Sequence, residues 1–371
     1  MIGKDHSVNS KEALLTTKPG KKIIKQALFK SKSFKLFNKY KDEYDEEFPK
    51  FKERFANDLL REIKADSDPN STQQSFAQEV GSTEMILPNS QIEDIRSKLQ
   101  KPQVLNDRVE RILDSNFVKM TFPVFSALYD AAADFEGRND AKLKQNLVDG
   151  HIIAIDLSEP MDRIVDKDED LDYLDDYKLM NPYILKLARE KIAAGGEEVL
   201  REFEDGFKDA RMGQYLDMKL KSKPTKITEE EMNESYKKYR AVMGTAGRNM
   251  ALAKRPLGEI FYLGMARAAE CVGCGNEIED SLKNSFVKVP SWPLYYSLLA
   301  GDVKKGFDFT LEKSNLYLQD ARLAMDLLPS NFAYREFLDF LFLSVEHYNQ
   351  FWYNHLEKAN IWKQLESRLP Q

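Results

Sequence analysis

The residues with the most chemical potential are Cys271 and Cys274, set in the string Cys-Val-Gly-Cys-Gly. A C-x-x-C pair is half of a zinc site, which needs four ligands. The imidazoles are His6, His151, His347 and His355, and the last two are too far apart in sequence for the usual spacing of about three to five. No metal site is assigned. A nucleophilic thiolate needs a basic neighbour to lower its pKa, and folding can bring His347 or His355 to Cys274. Cys274, His347 and His355 are therefore the catalytic candidates. The plainer reading is favoured: both cysteines are small buried hydrophobes at a helix end, with Gly273 and Gly275 supplying the turn.

The acidic run Asp166, Asp168, Asp170 and Asp172 begins like a calcium loop. Such a loop requires Gly at its sixth position and Glu at its twelfth, where this chain has Leu171 and Tyr177. The run reads instead as a solvated acidic face with Leu171 and Leu174 turned inward. No Gly-x-Ser-x-Gly nucleophile turn, Walker A loop or dinucleotide glycine pattern after a strand occurs, so no cofactor is expected. Tyr348, Phe351 and Trp352, with His347 and His355, can line a pocket, but aromatics at helical spacing are ordinarily core.

Charge is concentrated at the N-terminus. Residues 1–40 hold ten Lys against Asp5 and Glu12, a net of +8, which leaves −14 on the rest of a chain whose total is −6. Lys21, Lys22, Lys25, Lys32 and Lys35 surround Phe29, Phe34 and Phe37, and these are the candidate interaction residues. A basic amphipathic segment can enter a groove on a protein partner or lie on an anionic membrane. It can equally dock on its own acidic body. Specific nucleic-acid recognition is not expected, because the arm lacks Arg and its bidentate fork. Organelle targeting by the N-terminus stays open, since residues 6–40 are Lys- and Ser-rich with a single acid.

The elements that must position these groups read as helices. Phe48, Phe51, Phe55, Leu59 and Ile63 recur at helical spacing around Pro49, which is placed at the first helical position. Ser90 with Glu93, and Thr228 with Glu231, form capping boxes. Asn139 caps a short helix stopped by Gly150, and Asn181–Pro182 opens another that Gly195–Gly196 closes. His151–Leu157 is the one good strand candidate. Pro256 opens a Gly- and Ala-rich helix whose Gly258, Gly264, Ala268 and Ala269 admit a close neighbour. Residues 330–369 are expected as one long helix or two abutting ones, forming the central hydrophobic helix of the larger domain. Ala321–Pro329 resembles the end of a tetratricopeptide helix, but no second copy recurs, so no repeat family is assigned.

The fold expected is all-α: a multi-helical, irregular bundle or helical array with a basic N-terminal arm. Its parts are 1–64 (arm and N-terminal helices), 65–90 (flexible linker, rich in Ser, Thr, Asn, Gln and Pro) and 91–371 (main helical domain, with room for a subdivision near 224–256). The composition, with 42% hydrophobic and 11% aromatic residues, excludes a wholly disordered chain. Two cysteines exclude a disulfide scaffold and fit a reducing cytoplasm, of the source cell or of a host. The function expected is a non-catalytic protein-binding adaptor, inhibitor or assembly subunit. A bacterial effector delivered to a host cytosol would look the same. The alternatives are a cysteine-dependent enzyme using Cys274 and a membrane-peripheral protein held by the arm.

Overall fold

The computed structural model describes residues 31–113, 116–158, 160–161, 164, 171–281, 286–330, 332 and 334–369. Among these every regular element is a helix. In order they are α1 (Ser31–Ala65), α2 (Pro69–Val80), a 3-10 turn (Thr83–Met85), α3 (Asn89–Leu99), α4 (Pro102–Leu113), α5 (Asn116–Glu136), α6 (Ala141–Asp156) and α7 (Leu171–Ile192). There follow α8 (Glu197–Leu220), α9 (Glu229–Ser235), α10 (Lys237–Met250), α11 (Leu257–Asp280), α12 (Trp292–Ala300), α13 (Val303–Asp326), α14 (Arg335–Ala359) and α15 (Trp362–Glu366). The all-α expectation holds. No described helix is long and apolar enough to cross a membrane.

The described residues form two compact units, one within 38–130 and 138–200, the other within 31–37, 131–137 and 201–369. The segment 65–90, expected as a linker, is largely helical. Asp68 caps α2 by accepting from the Ser71 amide, Pro69 occupies the first turn, and Gly81 closes it in the left-handed region. Phe76, Ala77 and Val80 of α2 are buried, as are Met85 and Leu87 beyond it. Ser, Thr, Asn and Gln make up most of the solvent face of α2, and their density masked three apolar residues at helical spacing.

In the first unit α7 packs against α6, and α2, α3 and α4 also touch it. Phe51, Phe55, Leu59 and Ile63 of α1 are buried as their spacing requires. Pro49, however, lies inside α1 rather than at its start. The expected strand His151–Leu157 is instead the end of α6 and its cap. Its β-branched run is buried because α6 lies tight on α7: a Cβ at Gly150 would come within 2.8 Å of Ile192 Cγ1. Gly150 is thus an interior contact glycine and not a stop. Asp140, not Asn139, caps α6 through the Leu143 amide. Pro88 precedes α3 without a side-chain cap, so the Ser90 box does not form.

Asn181–Pro182 does not start a helix either; Pro182 sits inside α7. A proline removes the amide that would bond the carbonyl four residues earlier. That carbonyl belongs to Lys178, and the Gln73 side chain of α2 donates to it at 2.6 Å. A residue distant in sequence repairs the helix that the proline interrupts.

In the second unit α11 is the central helix. It packs against α10, α12, α13 and α14, the place that residues 330–369 were expected to take. Its small residues explain this: a Cβ at Gly264 would collide with Met325 of α13. The Thr228–Glu231 capping box forms as expected. Residues 330–369 yield two helices, α14 and α15, separated by Asn360 in the left-handed region.

Candidate functional site

Three polar groups of the second unit share one side of α11. Glu270, Cys274 and Glu277 recur at intervals of four and three, so they share a helix face. Glu270 is buried and held by two guanidiniums: Arg267 Nη1 donates to Oε2 at 2.7 Å, and Arg240 Nε lies 3.1 Å from Oε1. Burial still pushes its carboxyl above the usual range, against the pull of both arginines.

One turn on, the Tyr236 hydroxyl lies between Cys274 Sγ, at 3.7 Å, and the Glu277 carboxyl. Glu277 Oε2 also accepts from the Trp292 backbone amide at 2.9 Å, in the first turn of α12. As a whole residue Glu277 is partly exposed, but its carboxyl is enclosed. Burial pushes it up to about 8, and the bonds from Trp292 and Tyr236 pull it back down only in part. Lys313 of α13 completes the group, its ammonium 3.9 Å from the Trp292 ring centroid and 5.4 Å from that of Tyr317. Burial lowers its pKa, with Glu229 opposing at 3.9 Å. Glu277 can therefore gain or lose a proton near neutral pH, the property expected of an acid–base group. Its partners are groups that tie α10, α11 and α12 together.

The structure places the cysteines differently from the sequence reading. Cys271 and Cys274 lie inside α11, not at a helix end, and Gly273 and Gly275 make no turn. They let other side chains approach: Cβ atoms there would meet Tyr239 and Asn349. Both thiols are buried and unpaired as disulfides. Burial pushes both upward, opposite to what a nucleophilic thiolate needs. Among the described residues, the groups acting on Cys274 are Glu277, Cys271, Tyr236 and Lys313, rather than His347 or His355. His355 is exposed on α14, its ring 5.8 Å from that of Trp352. Asn349 of α14 donates to the Cys271 carbonyl at 2.8 Å. Tyr348 and Trp352 belong to the core with Phe307, Leu356 and Trp362.

Of the arm, Lys21, Lys22, Lys25 and Phe29 lie outside the described residues, as do the side chains of Lys32, Phe34 and Phe37; Lys35 is exposed in the first turns of α1. The acidic residues 166–170 also lie outside them. Tyr177, at the twelfth position of that run, is buried within α7, and Leu174 is buried beside it. Among the described residues no group of three or more His, Cys, Asp or Glu is placed to hold a metal ion.

Sequence reasoning missed Glu270, Glu277, Lys313 and Trp292. One signal was present: two glutamates seven apart on a helix otherwise rich in Gly, Ala and apolar residues are carried into the interior with it.

No family model matches the sequence, and neither does any curated protein. Solved structures do resemble the fold. Geranylgeranyl pyrophosphate synthetase from the archaeon Geoglobus acetivorans aligns with a TM-score of 0.55 at 13% identity, covering 76% of this chain and 99% of that one. Polyprenyl synthase from Caulobacter crescentus, complexed with calcium and isoprenyl diphosphate, gives 0.55 at 12%, covering 78% and 97%. Decaprenyl diphosphate synthase from Rhodobacter capsulatus gives 0.53 at 12%, covering 78% and 99%. The chain thus has the all-α fold of isoprenyl synthases. This overturns the expectation of a non-catalytic adaptor, inhibitor or assembly subunit, because the proteins that share the fold over nearly their whole length are enzymes.

Proposed function

We propose that this protein is an enzyme acting on a prenyl diphosphate. What supports the reading is the extent of the likeness. The synthases are matched over 97–99% of their length, so the array compared is their whole helical body and not a shared fragment. A diphosphate is held either by Arg and Lys donors or through a divalent cation carried on oxygen ligands. Among the described residues no group of three or more His, Cys, Asp or Glu is placed to hold such a cation. The two buried, unpaired thiols are consistent with a cytoplasmic, reducing location.

The test is binding and turnover with geranylgeranyl diphosphate, with and without added magnesium. Binding to the folded state raises the melting temperature by mass action. Stabilisation by the diphosphate but not by geranylgeraniol, together with a longer prenyl product when a five-carbon isoprenyl diphosphate is added, is the expected result. No stabilisation and no product under either condition would overturn the reading.

A further inference from the structure

The tie between α11 and α12 runs through a carboxyl. α12 packs chiefly on α13 and only lightly on α11. Its first-turn amide, that of Trp292, donates to Glu277 Oε2 at 2.9 Å, so a side chain of one helix stands at the start of the next. Trp292 is fully buried, yet its indole Nε1 has no hydrogen-bond acceptor among the described residues. Water entering beside α12 would therefore gain a partner as well as a carboxylate to solvate.

The groups around Glu277 leave its ionised form poorly compensated. Tyr236 brings a hydroxyl from the junction of α9 and α10. The cation that acts on the carboxyl, Lys238 of α10, is already bound to Asp217 of α8 at 3.0 Å, and Asp217 opposes ionisation. Tyr239 of α10 and Cys274 of α11 are held protonated by burial. Asp280, three residues further along α11, adds negative charge on the same helix. From α13, Lys313 acts on Cys274 and stands over the Trp292 ring at 3.9 Å. An ionised Glu277 thus keeps two hydrogen-bond donors but no ion pair among the described residues.

We propose that the Glu277–Trp292 contact is a pH-operated latch on the α11–α12 connection: with the carboxyl protonated α12 is shut against α11, and with the carboxyl ionised its first turn parts from α11 and lets water reach the charge. Closure binds the proton more tightly than water does, since the enclosed carboxyl titrates at about 8 and an exposed one near 4.5. Opening therefore grows as pH rises above about 4.5 and levels off beyond about 8, where both states have lost the proton. The inference does not depend on the reaction the protein performs.

The two native thiols report on the latch. Cys274 lies beneath it, its Sγ 3.7 Å from the Tyr236 hydroxyl, whereas Cys271 faces α14, where Asn349 Nδ2 donates to its Sγ at 3.2 Å. Both are buried, and global unfolding would expose both together. Pulse labelling of the full chain with methyl methanethiosulfonate, read by mass spectrometry, compares the two in one sample, and their ratio cancels the pH dependence that thiols share. The rate at Cys274 relative to Cys271 should rise at least about threefold per pH unit from pH 6 to 8, toward a limit of about tenfold, and flatten above. Glu277→Gln keeps an acceptor for the Trp292 amide but cannot ionise, and should abolish the rise. In the wild type, hydrogen exchange of residues 286–300, corrected for intrinsic rates, should gain over the same range while that of α14 does not. A ratio independent of pH, a rise that persists in Glu277→Gln, or equal gains in both segments would each overturn the proposal.

Discussion

Glu277 is the residue whose environment departs furthest from its sequence appearance. An isolated glutamate titrates near 4.5, and here the carboxyl is raised to about 8. The folded state therefore binds this proton more tightly than the unfolded chain does. The stabilisation is fully present below about 4.5, declines as pH rises, and is gone above about 8. The loss is on the order of 3 kcal/mol after discounting for partial exposure. Glu277→Gln keeps an acceptor for the Trp292 amide and removes the titration. The wild-type melting temperature should fall between pH 5 and 9, and the variant's should fall less. Equal slopes would mean that the carboxyl is already ionised in the folded protein. Glu270 and Asp149 are also raised by burial, so a residual slope of the same sign is expected in the variant. The sequence exposed the cysteines by their rarity, but this carboxyl only through its place on a Gly- and Ala-rich helix. Nothing in the string around Glu277 announces that Tyr236 and Trp292 will close over it.

Several helix ends were legible because a local device set them. Thr228 with Glu231, Gly195–Gly196 and Pro256 depend on neighbours within a turn, and each marks a real boundary. Two of the misreadings share one cause, a local signal answered from far along the chain. Gly150 reads as a stop until α7 fills the space beside it. Pro182 reads as a start until Gln73 takes up the carbonyl it orphans. The latter contact gives a test at this scale. Gln73→Leu preserves bulk but leaves the part-buried Lys178 carbonyl without its donor, at a cost of about 1–2 kcal/mol. Chemical denaturation should show the loss as a lower midpoint with an unchanged slope. Restoring the amide at position 182 with Pro182→Ala in the same chain should recover much of it, because α7 then closes its own ladder. A Gln73→Leu protein as stable as the wild type would show that the repair contributes nothing.

For the whole molecule, composition settled the fold class and nothing finer, since 42% apolar residues and abundant caps fit any helical array. Its likeness to synthases emerges only from how the helices pack, which is why 12–13% identity accompanies coverage of nearly the whole of those chains. The basic arm is where sequence and fold meet least. The sequence reading ended it at residue 40, with a linker further on to isolate it. In the structure α1 is already running by Ser31, and Tyr40 is fully buried with its hydroxyl donating to Asp130 at 2.9 Å. The cut that tests the arm therefore falls at residue 30. Residues 1–30 carry seven Lys against two acids, so removing them takes the net charge from −6 to −11. Deletion of 1–30 is expected to leave the melting temperature within about 1 °C, since none of the buried α1 stripe is lost. Deletion of 1–40 removes Tyr40 and its bond to Asp130, costing about 2–4 kcal/mol and lowering the melting temperature by several degrees. If the shorter deletion alone lowers it that far, the lysines are bound to the acidic body of their own chain. If it does not, the arm is free to act outside the molecule, and its binding to anionic vesicles should weaken as salt screens the lysines over about 8 Å.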